Sequence, residues 1–409
     1  MSQGNLACRV CGGRLAEFFD FGRQPLSDAF LTPDDIDEEF FYQLTVGACE
    51  SCTMVQLTEE VPRDRMFHED YPYHSSGSAT MRQHFEQLAK HLIDTELSGR
   101  DPFIVEIGCN DGVMLRQISK AGIRHLGVDP SGGVTRLAMA DGVRVLTDFF
   151  EESLAEAVLA DEGPADVIYA ANTICHIPYL DSVFRGVDLL LKPDGVFIFE
   201  DPSFGDIIER NSFDQIYDEH FYFFTLRSVQ AMAERMGFEL VDAERLPVHG
   251  GEIRYTLARK GRRRPSARVA ELTAAERVLD LAAPATLERF AAAVRNIRQD
   301  LTRLLEDLRA EGKRVVGYGA TAKSATVTNY CGIGPGLIPY VCDTTPAKHG
   351  KLMPGSHIPV LPAEALAEPF PDYALLFAWN HAEEIMAKEQ AFREAGGRWI
   401  LYTPKVHIL

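Results

Sequence analysis

Between residues 75 and 260 the chain alternates short apolar runs with stretches of helical periodicity, and this alternation restricts the fold more than any other feature. The strand candidates are 103–107, 125–128, 143–146, 166–171, 196–200, 239–244 and 253–258. Strands separated by helices predict an α/β, doubly wound, largely parallel sheet with helices on both faces. The last two candidates should run antiparallel, because His249-Gly250-Gly251 is too short a link for a helical crossover.

The flanks differ from this core. Residues 1–72 are short and turn-rich, with apolar pieces at Phe18-Phe19 and 42–46, and they carry Cys8-x-x-Cys11 and Cys49-x-x-Cys52 with 37 residues between the pairs. Four thiolates supplied in two pairs suit a closed tetrahedral zinc site of structural kind, a staple that so small a module needs. Residues 73–262 form the central cofactor-binding domain, and residues 263–409 a helical connector followed by a smaller Rossmann-like α/β domain. The connector, 265–311, is rich in Ala, Leu, Arg and Glu and breaks at Pro284 into two amphipathic helices. Strand candidates beyond it are 314–318, 340–342, 373–378 and 399–402.

Charge excludes some functions. Lys and Arg number 41 against 60 Asp and Glu, a net charge of −19 that repels nucleic acid and anionic membranes alike. No run of about 18 apolar residues occurs, and MSQGNLACRV lacks a secretory leader's basic-then-apolar layout, so the expected location is cytoplasmic. There the cysteines stay thiols or metal ligands; Cys109, Cys175, Cys331 and Cys342 read as packing residues. A monomer is expected, because zinc and three domains already close the obvious surfaces.

The strand 103–107, which contains Glu106, runs into Gly108-Cys109-Asn110-Asp111-Gly112 and then a helix. The turn is not GxGxxG, and Asp111 disfavours a pyrophosphate while suiting a ligand with an amino-acid moiety and a sulfonium. Asp129, 21 residues after Gly108, ends the next strand where ribose hydroxyls are bound in such folds. Asp148 and Asn172 end the third and fourth strands, and Leu190-Leu191-Lys192-Pro193-Asp194-Gly195 precedes the fifth. Over about 180 residues this resembles the class I S-adenosylmethionine-dependent methyltransferases. The resemblance implies a seven-stranded sheet and assigns the cofactor to Glu106, Gly108, Asn110, Asp111, Gly112, Asp129, Asp148 and Asn172, with Asp148 at the adenine amine and Asn172 beside the methyl donor.

Titratable groups gather at Tyr217-Asp218-Glu219-His220, with His176 and the cluster Tyr71, Tyr73 and His74 elsewhere. Histidine is the side chain best able to act as base near neutral pH, and a neighbouring carboxylate orients it. A second glycine turn, Gly317-Tyr318-Gly319-Ala320-Thr321-Ala322-Lys323, opens a helix and offers free amides and a lysine to a diphosphate.

The paired CxxC motifs, YPYHSSGS, VEIGCNDG, ANTICHIPY, YDEH, PVHGGEIRYTL, VGYGATAKSATV and FAWNHAEEI follow in that order. Along essentially its whole length the chain is thus similar to the sugar C-methyltransferases of antibiotic biosynthesis. The greatest similarity is to those acting at C-3 of dTDP-4-keto-6-deoxysugars, in particular 3-amino substrates on the way to nitrosugars of the tetronitrose type. This resemblance implies His220 as the base at C-3 with Glu219 and Tyr217 in support, and His176 or Tyr71 at the keto oxygen. It places the dTDP-linked keto-sugar against Tyr73, His74, His249 and Arg254, with Tyr318, Lys323, Asp343, Asn380 and His381 toward the nucleotide. C-3 and C-5 stay open as reacting carbons, as do amine and hydroxyl at C-3. An O- or N-methyltransferase would need no enolate chemistry, and a silent zinc-bearing scaffold would have lost Asp129 or Asn172, which are both present.

Overall fold

The computed structural model describes residues 6–69, 71–367 and 369–409; the first five residues, where the leader reading begins, lie outside them. Three sheets succeed one another along the chain. The largest has seven strands in the spatial order Phe238–Leu246, Glu252–Arg259, Leu191–Pro202, Ala165–Ala171, Phe103–Ile107, Arg124–Val128, Val145–Leu146. Its five earlier strands in sequence are mutually parallel, and Glu252–Arg259 pairs antiparallel with Leu191–Pro202 and Phe238–Leu246, as the short link dictates. This is the class I methyltransferase sheet. Val143 drops out of the third strand because its N–H closes the preceding helix on Ala138 O at 3.1 Å.

The amino-terminal module is an antiparallel sheet of Leu15–Pro25, Phe41–Cys49 and Val55–Leu57, completed by Tyr222–Phe223 from the central region. That fourth strand crosses the expected boundary at residue 72. It begins two residues after His220, and Leu57 N–H donates to Phe221 O at 2.9 Å, so the module fixes the backbone next to the YDEH segment. Phe19 and Phe21 pack on Tyr330, and Phe21 stacks on Phe213, which ties the module to both other regions.

The carboxy-terminal sheet runs Val360–Pro362, Val341–Asp343, Val315–Tyr318, Tyr373–Leu376, Arg398–Leu401, His407–Ile408, parallel except for the last. The connector serves two neighbours. Ala267–Leu279 lies on Phe238–Leu246, whereas Pro284–Ala310 lies on Ala322–Cys331 and on Leu15–Pro25. Pro284 opens the second helix, where its missing N–H costs nothing. Among the described residues no helix is long and apolar enough to cross a membrane.

Candidate active site between the sheets

A cavity of about 630 Å³ lies where the carboxyl ends of the central and carboxy-terminal sheets face each other, within the range of small-ligand sites. At one end Phe103–Ile107 delivers Gly108, whose φ of +71° and whose absent Cβ, which would fall 2.1 Å from Thr173 Oγ1, leave glycine as the only fit. Asp129 accepts from Asn110 N at 2.9 Å and from Ser131 N at 2.8 Å, which aims its carboxylate and leaves lone pairs for a ligand hydroxyl. Glu106 lines the same end with Oε2 unpartnered among the described residues, and burial with Asp111 and Asp129 nearby pushes its carboxyl well above the usual range. Asn172, at φ +48°, is anchored by its N–H on Glu200 O at 2.7 Å, and Asp148 stands exposed at the rim. An acidic, glycine-floored end fits a cofactor with an α-amino group, a ribose and a sulfonium.

Three expected contacts are corrected. Asp111 turns away from the cavity and accepts from Ser76 N at 3.1 Å. Gly112 is needed for packing, since a Cβ there would meet Ala138 at 2.9 Å. Arg254 is held by Glu200 at 2.6 Å and Glu244 at 3.0 Å and does not line the cavity. Asn110 does line it, and also receives Ser75 N at 3.0 Å and donates to Tyr73 O at 3.1 Å. The segment bearing Tyr71, Tyr73 and His74 is thereby laced over the cofactor turn, with Tyr73 and His74 exposed at the mouth.

In the middle of the cavity, His220 Nδ1 lies 2.8 Å from Gln215 O. A carbonyl only accepts, so Nδ1 carries the proton and Nε2 is the free lone pair, receiving the Tyr217 hydroxyl at 2.8 Å. His176 stacks between Phe67 at 5.5 Å and His220 at 5.3 Å, with Nε2 unpartnered among the described residues. Burial lowers His220 well below the usual imidazole value and His176 to about 3, so both rings are neutral at pH 7. Glu219 accepts from Tyr71 OH at 3.0 Å, and burial, with Asp28 and Asp218 nearby, pushes its carboxyl well above the usual range.

The other end is built on Val315–Tyr318 and the turn after it. Asp343 accepts from Ala320 N and Thr345 N, both at 2.7 Å. Tyr318 donates to Glu389 at 2.7 Å, so its hydroxyl is engaged by the protein. Among the described residues Lys323 makes one long hydrogen bond, 3.4 Å, to His249 O and sits 5.6 Å from the Trp379 ring. Asn380 lines the wall, and His381 meets His249 edge to face at 6.3 Å. Sequence reasoning missed Asp28, which reaches the cavity from the amino-terminal module and faces Lys348 at 3.8 Å, and Gln215; neither sits in a motif that announces a ligand.

Away from the cavity, the Sγ atoms of Cys8, Cys11, Cys49 and Cys52 all lie within 4.8 Å of one another, with Cys8–Cys52 at 3.6 Å and Cys11–Cys49 at 3.4 Å. The edge of a tetrahedral zinc–thiolate site is about 3.8 Å. Backbone N–H groups of Gly13 and Ser51, each 3.4 Å from a sulfur, support thiolate charge. The set fits a structural zinc with no position left for substrate.

Three family models match: "Putative zinc binding domain" over residues 8–67, "Methyltransferase domain" over 81–243 and "C-methyltransferase C-terminal domain" over 247–404. C-methyltransferase NovU of Streptomyces niveus is 34% identical over 407 residues, 98% of this chain and 96% of that one. A ubiquinone biosynthesis O-methyltransferase of Ralstonia nicotianae is 33% identical over 99 residues, 24% of this chain and 41% of that one. Among solved structures, a SAM-dependent methyltransferase from Anabaena variabilis covers 43% of this chain and 84% of its own at TM-score 0.34 and 17% identity. With its zinc module, central sheet and carboxy-terminal domain all matched in order, the chain belongs to the S-adenosylmethionine-dependent C-methyltransferases.

Proposed function

We propose that the protein methylates C-3 of a dTDP-linked 4-keto-2,3,6-trideoxysugar bearing a 3-amino group, through an enolate, in the cytoplasm. The observation that carries this reading is the neutral pair of His220 and Tyr217 beside the neutral His176, midway between an acidic cofactor end and a lysine-bearing end. A hydrogen next to a ketone is removed readily only when a base acts while the enolate oxygen is stabilised. Tyr217 and His220 act as one unit. As the tyrosine oxygen or the Nε2 lone pair takes the C-3 proton, the 2.8 Å hydrogen bond between them spreads the charge, and the Gln215 carbonyl keeps Nδ1 protonated. His176, or Tyr71 with its hydroxyl turned from Glu219, supplies an uncharged donor for the keto oxygen. When bound, S-adenosylmethionine supplies the electrophilic methyl group. Asp343 and Lys323 hold the nucleotide end, and Lys323 keeps the donor capacity that a diphosphate needs.

The test is incubation with S-adenosylmethionine and dTDP-3-amino-2,3,6-trideoxy-4-ketoglucose in deuterated water. The expected product gains a methyl and loses the C-3 proton, and His220→Asn or Tyr217→Phe slows this by roughly 10²–10⁴-fold, the usual contribution of general acid–base catalysis. A methylated product that retains the C-3 proton would mean transfer to nitrogen or oxygen instead.

A further inference from the structure

The short Phe213–Gln215 turn ends in a side chain that none of this chemistry uses. Gln215 is fully buried, at 0% exposure, yet lines the central cavity, and neither Oε1 nor Nε2 has a partner among the described residues. Its backbone is fully engaged, because the carbonyl holds His220 Nδ1 at 2.8 Å. A buried amide with both ends unpaired is costly, and native folds retain few of them without a reason. Packing keeps this one in place. A Cβ on Gly250 would lie 3.2 Å from Gln215 Nε2 and 2.5 Å from the Trp379 ring, so the His249–Gly251 hairpin and the indole wedge the carboxamide. It therefore sits between the ring it orients, His220, and the Lys323 end, whose ammonium reaches His249 O.

We infer that the Gln215 carboxamide is a specificity-determining group that recognises the substituent on the reacting carbon of the sugar. An amide with both atoms free is matched by a group that donates to Oε1 and accepts from Nε2 at once. An amine or a hydroxyl does both; a methylene does neither. The inference rests on the proposed function and adds the residue that reads the 3-substituent. A site built to bond a donor–acceptor group rejects the analogue lacking it, since the buried amide is then left unanswered.

The experiment compares dTDP-3-amino-2,3,6-trideoxy-4-ketoglucose with its 3-deoxy counterpart, both of which carry an acidic hydrogen at C-3. Binding is measured by calorimetry in the presence of S-adenosylhomocysteine, and turnover separately. Wild type should prefer the aminated sugar by at least about 100-fold, and Gln215→Leu should collapse that preference to within about threefold. The melting temperature of ligand-free Gln215→Leu should equal or exceed that of wild type, because two orphaned polar atoms are gone. A merely structural glutamine predicts the opposite: a lower melting temperature, both sugars weakened alike and the ratio unchanged, and that result overturns the assignment. Should the leucine variant fail to fold, Gln215→Met reads the same ratio at nearly equal volume. Equal binding of the two sugars by wild type also overturns the assignment. A wild type that shows the preference in binding but transfers no methyl to carbon would sink the proposed reaction and leave Gln215 standing.

Discussion

The two ends of the cavity are built alike and lined by opposite kinds of group, carboxyls at one and lysines at the other. At each, a strand runs into a glycine of positive φ, +71° at Gly108 and +88° at Gly319, and a helix follows. At each, the neighbouring parallel strand is followed by or ends in an aspartate whose two oxygens accept one N–H from the glycine turn and one from two residues further on. For Asp129 the donors are Asn110 and Ser131, for Asp343 they are Ala320 and Thr345. The backbone solution is therefore shared, and the side chains around it decide the ligand. Glu106 lies behind the first turn, whereas Lys323 and Lys348 attend the second. Lys348 is held by Ala320 O at 2.8 Å and by Asp28, which leaves Lys323 as the better candidate for a phosphate. A shared frame specifies where a ligand lies; the kind of flanking group, carboxyl or lysine, specifies which one.

The comparison breaks most sharply at the aspartates. Asp129→Ala removes the acceptor of two loop N–H groups, each worth roughly 1–3 kcal/mol when orphaned, so S-adenosylhomocysteine affinity should fall by about 100-fold or more. Calorimetry should show dTDP binding unchanged within about threefold in the same variant, because the second turn has its own aspartate. Coupled losses at both ends would mean that the two turns are one mechanical unit.

Lys323→Met is the complementary cut. A hydrogen bond to a charged group contributes roughly 1.5–3 kcal/mol, so dTDP affinity should drop about 10- to 100-fold while S-adenosylhomocysteine binding stays put. The wild-type dTDP affinity should weaken with salt, and the variant should show a shallower slope. An unchanged affinity would hand the phosphate to Lys348 and require Asp28 to release it.

Much of this pairing is readable from the chain itself, and the reasons it is not all readable are physical. Gly108 with Asp129, and Gly319 with Asp343, announce themselves because a strand, a glycine turn and an aspartate at the next strand end recur at a fixed rhythm. The four cysteines do so because two CxxC pairs have one common purpose. Arg254 misleads because a cation near a substrate motif looks available until its partners Glu200 and Glu244, both on other strands or strand positions, are seen. Tyr222–Phe223 is too short for period-2 alternation to show, and it pairs with Val55–Leu57 more than 160 residues away. That pairing couples the cysteine knuckle to the YDEH segment, and close by Thr53, next to Cys52, meets Thr225 at 3.3 Å. Gln215 is illegible for a different reason, since an orphaned amide is defined by what fails to surround it.

The smallest effect concerns Glu106 and tests whether the acidic end is charged before its ligand arrives. Burial, then Asp111 and Asp129, hold its carboxyl well above the usual range, which favours the protonated form in the ligand-free protein at pH 7. Gln is the neutral isostere, and Glu106→Gln should leave S-adenosylhomocysteine affinity within about threefold at that pH. Stability supplies the sign. A carboxyl whose folded value lies above its unfolded value of about 4.3 contributes stability that is fully present below that value and is lost as pH rises toward the folded one, by up to about 1.4 kcal/mol per pH unit. Glutamine does not titrate. The melting temperature of Glu106→Gln should therefore gain on wild type as pH rises above the unfolded value of about 4.3, whereas a constant offset would show that Glu106 is ionised in the fold and that the first turn meets its cofactor with a full negative charge.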